Sequence, residues 1–220
     1  MSYNYTSISN YPEERQRIIY PFCFWEGAFS NEEIDTICKL MNSTPVNDAY
    51  IASPDTDENI DTGNVPIAKL NQEIRRSKVS FHRPNESNQW IFDRLNALID
   101  LMNKRWYNFD LNGYDQFQYT EYYGNENGRY GWHCDLFLGK PPKDTSIETR
   151  KLSLSLLLNN PGEDFEGGEL QFGHESAHET ANMKKGSIVV FPSFQLHQVK
   201  PITKGVRKSI VIWVVGPKWK

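Results

Sequence analysis

The residues best equipped for chemistry in this chain are gathered in Tyr130-Gly131-Trp132-His133-Cys134-Asp135. On an extended segment His133 and Asp135, two apart, project to one face, and Cys134 between them projects to the other. Cys134 therefore reads as packing. One imidazole and one carboxylate do not close a metal site, so a third donor must come from elsewhere. The chain has five histidines: His82, His133, His174, His178 and His197. His197 follows an apolar run at 187–191 and precedes another, a context in which a ligand is held rigidly. His174 and His178 lie in an acidic stretch with Gly and Ser, and His82 follows Val79-Ser80-Phe81 as an edge-strand residue would.

Two imidazoles and one carboxylate on strands form the facial arrangement that suits non-haem Fe(II), with coordination positions left open for a co-substrate and dioxygen. Ten residues past His197 comes Arg207. It alternates with Ser209, Val211 and Trp213 along one strand, so the four share a face. An arginine pointing into a barrel is costly unless it meets an anion. A bidentate guanidinium suits the distal carboxylate of a 2-oxo acid, with the Ser209 hydroxyl as a second donor. The alternative is an Arg207 that projects outward beside Lys204 and Lys208.

Such a site needs a stiff frame. Segments 116–123, 151–158, 169–172, 187–191 and 206–215 are rich in β-formers and bounded by Gly, Pro and Asn. Lys151-Leu152-Ser153-Leu154-Ser155-Leu156 alternates as a strand with one face on a core. Upstream, residues 21–25 read as an early strand. Ser30-Asn31-Glu32-Glu33 offers a helix cap with acids in the first turn, followed by Ile34, Ile37, Leu40 and Met41 at helical spacing. A second helix begins after Pro84-Asn85-Glu86-Ser87, with Ile91, Leu95, Leu98, Met102 and Trp106 on one face. Helices first and antiparallel strands after them predict an α+β fold, a β-sandwich or jelly roll backed by helices. Residues 1–220 are expected to form a single catalytic domain, with 1–112 as helical support and 113–217 as the jelly-roll core. The polar stretch 42–66 and the segment 138–150, with Pro141-Pro142, are candidate lids. Asp55-Thr56-Asp57-Glu58-Asn59 imitates a calcium loop, but Ile60 and Pro66 replace the required Gly and Glu.

Gln118-Tyr119-Thr120-Glu121-Tyr122, His133-x-Asp135, Gly167-Gly168-Glu169-Leu170, His197 and Arg207-x-Ser209 together resemble the 2-oxoglutarate/Fe(II) dioxygenases. Within them the chain is most similar to the prolyl 4-hydroxylase-like branch, which includes the bacterial PKHD-type hydroxylases. The resemblance covers roughly residues 116–216 and implies a double-stranded β-helix. It implies Fe(II) on His133, Asp135 and His197, and 2-oxoglutarate on Arg207 with help from Ser209. It implies dioxygen as second co-substrate and ascorbate as a reductant. Tyr122 would donate to the co-substrate and Gln118 would share its face, although a one-residue bulge would exchange Tyr122 with Tyr123. Leu156 and Leu158 stand where some relatives carry a polar co-substrate contact. Trp213 matches a position near the co-substrate, with core packing as its other reading. Arg75-Arg76-Ser77 with Lys78, Arg76 foremost, would contact a substrate at the mouth of the site or form a solvated charge cluster. Where collagen-type prolyl 4-hydroxylases carry Lys, this chain has Arg207, as the oxygen-sensing and PKHD-type proteins do. The implied reaction is hydroxylation of a prolyl residue in a protein or peptide. The alternatives are a free amino acid, small metabolite or nucleobase as substrate, or a metal-binding interaction module without activity.

The bulk composition excludes little more. The chain has 220 residues, 13% aromatic and 24% charged, with a net charge of −4, enough apolar content for a core and no global field for nucleic acid. Acids crowd 161–180 and bases 194–220, as solvated loops and strand edges do. No apolar stretch approaches the roughly 20 residues of a membrane helix, and Met1-Ser2-Tyr3-Asn4-Tyr5 does not open like a signal peptide. Three well-separated cysteines, Cys23, Cys38 and Cys134, fit a reducing compartment, so a cytoplasmic location is expected.

Overall fold

The computed structural model describes residues 20–49, 51–52, 68–69, 71–136 and 148–219. In chain order its elements are β1 Cys23–Trp25, α1 Asn31–Met41, β2 Asn47–Asp48, β3 Ile51–Ala52, β4 Ala68–Lys69, β5 Arg75–Arg76, β6 Lys78–His82 and α2 Gln89–Met102. Then come β7 Phe117–Tyr123, β8 Arg129–His133, β9 Thr149–Leu157, β10 Phe165–Gly167, β11 Leu170–His174 and β12 Ala177–Ala181. The chain ends with β13 Ile188–Pro192, β14 His197–Val199 and β15 Ile202–Gly216.

Two antiparallel sheets face each other. The larger runs β1-β13-β9-β15-β7-β6-β2, with β10 also paired to β15, and the smaller runs β12-β11-β14-β8-β5. This is the expected jelly roll. The part before residue 113 is not only helical, because β1, β2, β5 and β6 join the two sheets. The candidate lids at 42–66 and 138–150 lie largely outside the described residues, and the 55–59 stretch wholly so. Among the described residues no helix is long and apolar enough to cross a membrane.

Both helices follow from local chemistry. The Ser30 hydroxyl accepts from the Glu33 amide at 3.2 Å while the Glu33 carboxylate accepts from the Ser30 amide at 2.8 Å, a reciprocal cap. The stripe of α2 buries Ile91, Leu95, Leu98 and Met102. Its last predicted member, Trp106, sits on a π-helical turn, Asn103–Tyr107, that closes at a left-handed Asn108.

Alternation then sorts the large sheet's residues into two compartments. Leu152, Leu154, Leu156 and Leu158 on and after β9, with Ile210, Ile212 and Val214 on β15, pack with the helices. The opposite face, including Leu157, Val189 and Phe191, packs with Phe165, Leu170 and Phe172 between the sheets. Leu156 and Leu158 therefore do not face the site. Ser153, Ser155 and Leu157 occupy the site side of that strand, and both serines are buried.

Candidate metal centre

His133 ends β8 and His197 begins β14, and the two are direct partners in the ladder. Their rings lie 4.1 Å apart. Asp135 stands in the turn after β8, where its amide and that of Leu136 both donate to the Ser193 carbonyl at 2.9 Å. Its carboxylate faces both imidazoles, with Oδ1 3.6 Å from His133 Nε2 and Oδ2 3.7 Å from His197 Nε2. The three donor atoms all fall within 4.8 Å of one another.

The backbone selects the tautomers. His133 Nδ1 donates to the Gly131 carbonyl at 2.8 Å and His197 Nδ1 to the Gln195 carbonyl at 2.9 Å. Each Nε2 lone pair is thereby aimed at the centre of the cluster, as metal-binding histidines require. Burial pushes the His197 imidazole down to about 4, against the pull of Asp135, so it is neutral near pH 7. Burial works to raise the Asp135 carboxyl, but His197 and His133 outweigh it and hold the group below the usual carboxylate range. Two imidazoles and one carboxylate, converging on one point, fit a divalent transition ion such as Fe(II). Cys134 Sγ donates to the Phe194 carbonyl at 3.2 Å, away from the cluster.

A buried cation faces the same space between the sheets. Arg207 is 2% exposed, and its Nη1 donates to Ser209 Oγ at 3.2 Å. No carboxylate lies within salt-bridge distance among the described residues, and burial alone lowers its pKa. Tyr122, opposite Arg207 in the ladder, is buried with its ring 5.8 Å from the guanidinium. Tyr123 faces the other way: its hydroxyl donates to Glu121, and Lys78 lies 4.9 Å from its ring. The register is therefore unbulged here and Tyr122, not Tyr123, shares the Arg207 face. Gln118 is buried on that face too, donating to Thr120 Oγ1 at 2.7 Å. Trp213 points inward, its Nε1 buried without a partner among the described residues. Arg76 donates from Nη1 to the Glu126 carbonyl at 2.8 Å and lines a cavity apart from the histidine–aspartate cluster.

Two neighbours of the cluster, Tyr130 and Arg150, carried no role in the sequence, while Arg75 belongs to the stretch expected at the mouth of the site. Tyr130 stacks on His133 with ring centroids 3.4 Å apart. Arg75 is buried and lies 4.7 Å from the Tyr130 ring. Arg150 lies 4.2 Å from the Trp213 ring and donates to the Asp135 carbonyl at 3.2 Å. Arg150 has the parity of Leu152 and Leu154, opposite to Ser153, so alternation gave no signal for it; the register shift between Val214 and Val215, opposite Leu152 and Arg150, interrupts the pattern there.

Residues 117–215 match the model of the 2OG-Fe(II) oxygenase superfamily. The chain is 40% identical over 85 residues to a PKHD-type hydroxylase of Psychrobacter sp., covering 39% of this chain and 32% of that protein. It is 32% identical over 90 residues to one of Alteromonas mediterranea, covering 41% and 39%. The matched stretch thus spans about a third to two fifths of these curated relatives. Among solved structures, a Pseudomonas putida prolyl-4-hydroxylase superposes with a TM-score of 0.63 at 17% identity, covering 90% of this chain and 94% of that one. A Trichoplax adhaerens prolyl hydroxylase, solved with a hypoxia inducible factor oxygen degradation domain peptide fragment, gives 0.65 at 19% identity, covering 89% and 84%. These likenesses establish the double-stranded β-helix fold.

Proposed function

We propose that this chain, whose residues 117–215 match the 2OG-Fe(II) oxygenase superfamily, hydroxylates a C–H bond of a prolyl residue in a polypeptide, with 2-oxoglutarate and dioxygen as co-substrates. The observation that carries this reading is the buried Arg207, a guanidinium with no carboxylate within salt-bridge distance among the described residues, facing the same space as the His133–Asp135–His197 cluster. A charge so placed calls for an anionic ligand. In this reading His133, Asp135 and His197 hold Fe(II), which when bound supplies dioxygen activation coupled to decarboxylation of 2-oxoglutarate to succinate and CO2.

The protein's own share of the work is positional. Nδ1 bonds to two backbone carbonyls fix the imidazole planes, so the Nε2 atoms need no reorganisation on binding metal. Arg207 takes the distal carboxylate of 2-oxoglutarate in a bidentate pair, and Ser209 completes its donors. Tyr122 stands beside that pair as a further donor, with Gln118 lining the wall. Phe172 and Phe191 flank His197 and exclude water. Tyr130, Arg150 and Trp213 border the remaining opening, where a substrate backbone would lie. The PKHD-type and prolyl hydroxylase relatives, one solved with a peptide, support a polypeptide substrate.

The test is succinate formation from 2-oxoglutarate with Fe(II), together with a search for a 16 Da gain across a panel of prolyl peptides and small amino acids. His133→Ala and Asp135→Asn should abolish both. Full activity in either variant would sink the proposal, and a gain confined to the small molecules would move the substrate class.

A further inference from the structure

A cavity of about 380 Å³ opens between β2, the β5–β6 connection and the short helical turn after β7, lined by Asp48, Gln72, Arg75, Arg76, Lys78 and Glu126. Its charges are unevenly satisfied. Lys78 and Glu126 pair at 3.1 Å, and Asp48 lies exposed on the short strand β2. Arg75 and Arg76 have no acidic partner within salt-bridge distance among the described residues. Arg75 is only 7% exposed, yet just its Nε is committed, donating to Ser77 Oγ at 2.9 Å. Arg76 donates from Nη1 to the Glu126 carbonyl, and its Nε is buried without a partner among the described residues. Holding the Arg75 guanidinium this far from water, with Arg76 half-buried beside it and no anion for either among the described residues, is unfavourable, and a planar fork is suited to a carboxylate.

The cavity is coupled to the metal centre by contact. The Arg75 guanidinium lies 4.7 Å from the Tyr130 ring, which stacks at 3.4 Å on His133. Extended peptide advances roughly 3.3 Å per residue, so two or three residues bridge this distance.

We propose that the cavity is a subsite for a carboxylate side chain of the polypeptide substrate, an Asp or Glu two or three residues from the hydroxylated proline. The inference rests on the hydroxylase reading and adds to it a preference for acidic sequence. Arg75 supplies the bidentate donor, and Arg76 raises the local positive potential. The Lys78–Glu126 pair fixes the far wall.

A library of capped peptides around a central proline, in matched Glu/Gln and Asp/Asn pairs, tests it. The full chain is immobilised with Fe(II) and 2-oxoglutarate under argon, and retained peptides are read by mass spectrometry. Acidic members should be retained over their amide counterparts by about tenfold at one flanking position, a preference that weakens with salt. Arg75→Gln should bring that ratio close to one, and Arg76→Glu should shift retention toward Lys-containing peptides. Ratios are taken within each protein, so partial misfolding lowers both arms together. Equal retention of acid and amide, or an unchanged ratio in both variants, overturns the subsite. Displacement of the acidic peptides by an equal concentration of N-acetylglutamate amide assigns the cavity to a small acid and overturns it as well. Succinate formation is measured separately in air: its absence alongside acid selectivity would sink the hydroxylase reading and leave the subsite standing.

Discussion

Tyr130 and His133 are three residues apart on β8, yet their rings stack at 3.4 Å with planes 12° apart. Strict alternation puts residues three apart on opposite faces. The register explains the exception: His133 pairs with His197 but Tyr130 with Val199, so three residues on β8 advance against two on β14. This bulge at Gly131-Trp132 turns Tyr130 to the inner face and frees the Gly131 carbonyl to accept from His133 Nδ1. Tyr130→Ala removes one wall of the imidazole slot. Fe(II) affinity should fall by roughly tenfold, the lower end for a group that supports a ligand. Tyr130→Phe, which keeps the stack, should leave it near wild type. Metal titration followed by isothermal calorimetry under argon decides between them.

Arg207 sets function against stability. Replacing even a buried ion pair with apolar residues of similar volume is often neutral or stabilising by about 1–4 kcal/mol, and Arg207 has no carboxylate within salt-bridge distance among the described residues. Arg207→Met should therefore raise the melting temperature of the protein free of 2-oxoglutarate and abolish co-substrate binding. Added 2-oxoglutarate should stabilise the wild type and not the variant. Thermal unfolding with and without 2-oxoglutarate checks both halves, and a melting temperature that falls in Arg207→Met would contradict the first.

The site was legible where side-chain chemistry and strand period agree. His133, Asp135 and His197 are donors of the right kind, and Arg207 and Ser209 share parity on one strand, which β15 keeps without interruption through the site. The choice between Tyr122 and Tyr123 needed the register, because a ladder partner is a property of two strands and not of one. The inner-face position of Tyr130 and the burial of Arg75 against it were hidden for a related reason. A bulge resets parity, and β5 is only two residues long, too short for any periodic signal. The two faces of β9 deceived differently: both are buried, one by leucines under the helices and one by serines beside the site, so polarity on a strand did not mark solvent.

The acid limb of stability should report His197. In the unfolded chain this imidazole takes a proton near its ordinary value of roughly 6.5, but in the folded chain burial delays protonation to about 4. Between those values the unfolded state binds more protons, so stability falls as pH drops from about 6.5 toward 4 and is fully present above that window. Fe(II) competes with the same proton for Nε2, so metal affinity should fall with it. Denaturant midpoints of the metal-free protein across this range should decline for the wild type. His197→Gln should flatten the decline, and an equal slope in the variant would assign the effect to other groups.

Gly168 has a positive φ of +70°, and a Cβ built there would stand 2.1 Å from Ile202 Cδ1 and 3.0 Å from Arg207 Cδ. The glycine thus leaves room for the aliphatic stem of the arginine, whose guanidinium has no carboxylate within salt-bridge distance among the described residues to anchor it. Gly162 provides the matched control, because its φ is +82° but nothing lies within 4 Å of its built Cβ. Both Gly168→Ala and Gly162→Ala should pay the backbone cost of a left-handed residue, roughly 1–2 kcal/mol. Only Gly168→Ala should also shift Arg207, raising the KM for 2-oxoglutarate by about tenfold while the KM for peptide changes little. Steady-state kinetics of the two variants, each normalised to its folded fraction, separate strain from displacement. An equal rise in the 2-oxoglutarate KM for both would show that the clearance over Arg207 contributes nothing.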